Sequence, residues 1–175
     1  NWSRFGEKIT GIHLQGNKVA GGCDIKVTNS SISIDNKGGI GINLPGLFPS
    51  SSNTLLENNT IRIGLNNDSP FNKIDYPTGI SSIGDKNNVK IIANKFTGTV
   101  PFQSGNQSIG ISIQNTTGHG NDVSSNQFYG IYVINNPPNP PVNIGNSGYY
   151  FRTGLIMENA MNFKVCNNIN DNGAD

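Results

Sequence analysis

Alanine and leucine are scarce in this 175-residue chain, at 4 and 7 residues against 29 asparagines, 22 glycines and 22 isoleucines. Ala, Leu, Glu and Lys lose least on entering a helix, so their shortage excludes a helical protein. Ile fits a pleated surface, and Asn and Gly supply bends, which leaves short strands joined by many turns. Charge is equally thin. Only 13% of residues are charged, 12 basic against 11 acidic with no basic run, so nucleic acid and anionic membranes are offered no electrostatic footprint. Low charge together with 34% hydrophobic residues also excludes a disordered chain. No apolar run approaches the roughly 18 residues of a membrane helix. The 2 cysteines, Cys23 and Cys166, do not amount to a disulfide framework and read as free thiols. No His/Cys/Asp cluster has metal-ligand spacing and no Gly-rich loop has the form of a phosphate cradle, so neither metal nor cofactor is expected. The start, Asn1-Trp2-Ser3-Arg4, is not a signal peptide and lacks Met; the chain reads as one domain, 1–175, excised from something longer.

What is present is a repeat. One motif reads Gly, Ile or Leu, any residue, apolar, any residue, Gly or Asn: Gly11-Ile12-His13-Leu14-Gln15-Gly16, Gly41-Ile42-Asn43-Leu44-Pro45-Gly46, Gly110-Ile111-Ser112-Ile113-Gln114-Asn115 and Gly154-Leu155-Ile156-Met157-Glu158-Asn159, with a looser copy at Gly79 to Gly84. A second motif has two apolar positions spaced by two, then an Asn slot three residues on, then another apolar residue. Its clearest copy is Val89-Lys90-Ile91-Ile92-Ala93-Asn94-Lys95-Phe96, and across the copies the slot holds Ser30, Asn59, Asn94, Asn126 and Asn168. The first motif's glycines step by 30, 38, 31 and 44 residues and the slot by 29, 35, 32 and 42, as a fixed turn of chain with variable loops requires. We denote the two motifs strands A and B. A third strand, C, begins at the last apolar position of B.

Two-residue alternation then sorts side chains into an aliphatic or aromatic interior and an outward set. The slot Asn and the Gly are expected to mark left-handed bends. Stacked copies pair in parallel about 4.8 Å apart. The expected fold is all-β: a right-handed single-stranded parallel β-helix, or solenoid, of about five coils with three short strands per coil and long loops at one corner. The alternation resembles the pectate-lyase-like superfamily, and its irregular loop lengths are most similar to a bacteriophage tailspike segment. That resemblance implies a carbohydrate-handling protein at an extracellular or virion surface, often a homotrimer, whose partner is a bacterial polysaccharide that it binds or depolymerises as hydrolase or lyase. The alternative is a non-catalytic β-helix serving as a binding or structural module of a fibre or adhesin.

Outward positions supply the candidate site. Lys26, Leu55, Lys90, Asp122 and Lys164 should form one row on B. On A, Glu158 is the carboxylate, beside Gln114 on the preceding coil. On C the outward residues are Ser33, Arg62, Thr97, Tyr129 and Asp171. The long loops after C, at 64–78, 98–109 and 134–153, should rise side by side as one wall of a groove. They carry Asp68, Asp75 and Tyr76, and a Pro-rich stretch ending Tyr149-Tyr150-Phe151-Arg152. Hydrolysis needs two carboxylates, and Asp68 with Asp75 is the better pair because they share a loop. Elimination needs a base, for which His119 in Gly118-His119-Gly120 is the candidate. That tripeptide resembles a short element of polygalacturonase-like hydrolases, without their paired-Asp and basic segments. Tyr76, Tyr149 and Tyr150 are candidates to stack on sugar rings, and Gln114 and Arg152 to bond hydroxyls or uronates.

Overall fold

The computed structural model describes residues 10–14, 24–34, 39–46, 52–64, 77–99, 109–130 and 153–171. Among these every regular element is a strand: β1 (Thr10–His13), β2 (Asp24–Thr28), β3 (Ser31–Ile34), β4 (Ile40–Leu44), β5 (Asn53–Glu57), β6 (Thr60–Gly64), β7 (Thr78–Ile83), β8 (Val89–Ile92), β9 (Lys95–Thr99), β10 (Ile109–Gln114), β11 (Asn121–Ser124), β12 (Gln127–Gly130), β13 (Thr153–Glu158), β14 (Phe163–Cys166) and β15 (Ile169–Asp171). They form three five-stranded sheets: A in the order β1-β4-β7-β10-β13, B in the order β2-β5-β8-β11-β14 and C in the order β3-β6-β9-β12-β15. All pairing is parallel. The chain therefore visits A, B and C in turn five times, and each strand pairs only with its counterparts one circuit away.

Inside lies a column of rows. Ile42, Ile80 and Ile111 on sheet A, Leu56, Ile91 and Val123 on B, and Ile61, Phe96 and Phe128 on C are essentially inaccessible to solvent. The Phe96 and Phe128 rings stack with centroids 4.9 Å apart. Each such side chain contributes about 1.5–3 kcal/mol by burial. The expected wholly aliphatic or aromatic interior is corrected at three places, where Thr54, Ser82 and Asn121 occupy buried inward positions. In sheet A, Gly41 and Ile42 are both buried, and a Cβ on Gly41 would lie 2.6 Å from the Gly79 carbonyl oxygen. A Cβ on Gly79 would lie 2.6 Å from the Gly110 carbonyl oxygen and 2.7 Å from the Phe96 ring, so only glycine fits.

The corners correct one expectation. The slot residues Asn59, Asn94, Asn126 and Asn168 are not left-handed; the residue just before each is, at Asn29, Asn58, Ala93, Ser125 and Asn167, with φ between 51° and 56°. The reason is that the slot side chain must point inward to bond along the stack. Asn94 Nδ2 donates to Leu56 O (2.9 Å) and to Asn126 Oδ1 (3.1 Å), and its Oδ1 accepts from Asn59 N (3.1 Å) and Asn59 Nδ2 (2.9 Å). Asn59, Asn126 and Asn168 repeat the pattern, and the ladder ends on Ser30, whose N–H donates to Asn59 Oδ1. The terminal Gly or Asn of motif A, by contrast, is left-handed as expected, at Gly46, Gly84, Asn115 and Asn159.

Candidate functional site

The outward rows follow the expected register. Leu55 pairs with both Lys26 and Lys90, and Asp122 with both Lys90 and Lys164. In that row Lys164 Nζ bonds Asp122 Oδ2 at 3.1 Å, an exposed pair of small energetic value. The bond to Asp122 raises the Lys164 pKa. On sheet C, Arg62 pairs with Ser33 and Thr97, and Tyr129 with Thr97 and Asp171. On sheet A the outward row His13, Asn43, Ser81, Ser112 is also in register. Here Ser81 and Ser112 are buried, whereas alternation alone makes them surface residues.

Glu158 and Gln114 are brought together. They are direct partners at the ends of β13 and β10, and Gln114 Nε2 donates to Glu158 Oε2 at 2.9 Å. The carboxylate is exposed and the amide half-buried, so one hydrogen bond orients both while leaving acceptor oxygens toward solvent. Such a pair can bond sugar hydroxyls in either direction.

His119 lies in the connection from A to B, exposed, and its surroundings explain the tripeptide that contains it. Its N–H donates to Asn87 Oδ1 (2.7 Å) and its carbonyl accepts from Asn88 N (2.8 Å). A Cβ on Gly118 would collide with the Lys86 carbonyl, and one on Gly120, at φ 73°, with Asn88 Oδ1. Both glycines are thus required by the circuit beneath. The equivalent connection one circuit earlier, between β7 and β8, holds two groups that sequence reasoning missed. Asp85 Oδ1 accepts from Thr117 N (2.9 Å) and Thr117 Oγ1 (3.0 Å), and these bonds, the backbone one foremost, hold its carboxyl below the usual range. Lys86 is fully buried, its Nζ donating to the carbonyls of Gly46 (2.6 Å), Gly84 (3.2 Å) and Ile83. Burial pushes its pKa down to about 8, opposed by the charge of Asp85. The four residues Asp85 to Asn88 lie against the five residues Thr116 to Gly120, a mismatch of one that left both groups without a signal in the sequence.

Asp68, Asp75, Tyr76, Tyr149, Tyr150 and Arg152 lie outside the described residues. Among the described ones no group of three His, Cys, Asp or Glu converges on a common point. Cys166 is a free thiol, and Cys23 lies outside the described residues. Compared with known protein families, curated proteins and solved structures, the chain matches none.

Proposed function

We propose that the three stacked sheets are a right-handed parallel β-helix of the pectate-lyase-like kind, and that the chain is a tailspike-like module binding a bacterial surface polysaccharide. The observation that carries the binding reading is the Gln114–Glu158 pair, a carboxylate and an amide aligned on adjacent strands of an outer sheet face. Preorganisation of this kind lowers the ordering cost of gripping a flexible polymer. Support for the β-helix comes from the five parallel circuits and the buried asparagine ladder. On the resemblance alone, the module belongs to a homotrimer at an extracellular or virion surface. Depolymerisation is the catalytic form of the same reading, with Asp68 and Asp75 as the carboxylate pair for hydrolysis or His119 as the base for elimination.

The test is incubation with a panel of capsular and O-antigen polysaccharides, measuring retention, new reducing ends and the ultraviolet absorbance of unsaturated uronates. Reducing ends alone indicate hydrolysis and both signals together indicate elimination. Retention without either leaves a binding module, and no retention anywhere overturns the reading. If hydrolysis is seen, Asp75→Asn should abolish it in a folded protein; unchanged turnover removes that pair.

A further inference from the structure

The outer face of sheet C differs from the other two in charge. Its outward positions from β3 to β12 are Ser31, Ser33, Thr60, Arg62, Lys95, Thr97, Gln127 and Tyr129, two cations and no carboxylate. Sheet B sets Asp24, Glu57 and Asp122 among its lysines, and sheet A carries Glu158. The acid of sheet C, Asp171 on β15, pairs with Tyr129 and stands two strands from Lys95 and three from Arg62, so no acid is in register beside either cation.

The register makes the imbalance a site. Thr97 is flanked by Arg62 on β6 and Tyr129 on β12, each a direct partner. Lys95 stands two residues before Thr97 on the same side of β9, and pairs with Thr60 and Gln127. Neighbouring strands are about 4.8 Å apart and alternate residues of one strand about 6.7 Å, so both cationic side chains reach the space over Thr97. Lys95 is held in place without a carboxylate: its Nζ lies 5.0 Å from the centroid of the Tyr129 ring. The ring is itself fixed, because its hydroxyl donates to Gln127 Oε1 at 2.9 Å. Among the described residues neither Arg62 nor Lys95 forms an ion pair, and both are exposed. A lysine held over a ring and an arginine on the next strand, both beside a hydroxyl, suit one acidic substituent, which Arg takes through its planar fork and Lys as a point charge.

We propose that this face binds an acidic sugar, with Arg62, Lys95 and Thr97 gripping its carboxylate or sulfate group and Tyr129 positioning Lys95. The proposal rests on the polysaccharide reading above, adds a second contact on a different face from the Gln114–Glu158 pair of sheet A, and narrows the substrate class. Binding is measured to polygalacturonate, which carries carboxylates, to dextran sulfate, which carries sulfate esters, and to neutral dextran, at several salt concentrations. The proteins are the wild type, Arg62→Gln, Lys95→Gln and, as a control that removes one cation from sheet B, Lys90→Gln. One or both acidic polymers should bind and dextran should not. Arg62→Gln and Lys95→Gln should each weaken binding about tenfold and flatten its salt dependence, with melting unchanged and Lys90→Gln binding as wild type. Equal losses in all three variants would overturn the site, since charge alone would then explain binding. Binding of a neutral polysaccharide but of neither acidic polymer would overturn it while leaving the polysaccharide reading intact, and failure of every polymer of both panels would remove both.

Discussion

At the scale of single residues the buried polar groups carry the heaviest consequences. Asn94→Ala would strip side-chain partners from Asn59, Leu56 and Asn126 at once, all buried. A loss of about 3 kcal/mol in urea unfolding is expected, against under 0.5 for an exposed change such as Lys90→Gln. Ala93 is the one alanine among the left-handed residues, where Asn29, Asn58 and Asn167 occupy equivalent corners. Ala93→Asn should therefore stabilise by about 0.5–1 kcal/mol, read as a raised melting temperature. Lys86 gives a pH signature. Its pKa falls from 10.5 in a free chain to about 8 when folded, so between those values the unfolded state holds more protons. Stability from this residue rises with pH through that window and is constant below it. The stability of the wild type relative to Lys86→Met should accordingly rise from pH 8 toward pH 10.5, as measured by urea midpoints; a relative stability that falls over that window would refute the assignment. None of this was legible in advance. Lys86 reads as an ordinary lysine in sequence because the carbonyls it meets come partly from Gly46, a whole circuit earlier.

At the scale of the strand, much was legible. Alternation and the slot spacing put Lys26, Leu55, Lys90, Asp122 and Lys164 in one row, and the parallel registers reproduce that row position by position. Period-two patterning works here because each circuit buries one face of every strand, so a slip by one residue would expose the whole aliphatic set. It fails where the backbone leaves the regular pleat. The left-handed corner falls one residue before the slot, since inward ladder bonding and the bend cannot be served by the same residue. Motif A's leading glycines read in sequence as the openings of strands, and Gly79 is required there by close approach of the next circuit. Gly79→Ala should cost about 3 kcal/mol or more, since the obstructing atoms are a backbone carbonyl and a fully buried ring that cannot both retreat. A melting temperature within a degree or so of wild type would contradict that packing argument.

For the molecule as a whole, the strand-to-strand contacts among the described residues mainly join a circuit to its neighbours, so stability accumulates circuit by circuit and outer rows are held at fixed spacing. The last described circuit shows the corollary: Val165 of β14, in register with the buried Val123, is 47% exposed. Rigid rows suit an extended polymer laid across strands, and this connects the scaffold to the proposed function. Of the candidate site, only Gln114, Glu158 and His119 can be judged against structure, and the first two meet as the repeat implied. The account's functional claim rests on that pair. Its most direct test is a double-mutant cycle, with Gln114→Leu, Glu158→Leu and the double variant titrated against whichever polysaccharide the panel retains. Each single change should weaken binding about tenfold and the double should cost less than their sum, because each partner orients the other. Wild-type affinity in both single variants would contradict the placement of the binding surface on sheet A.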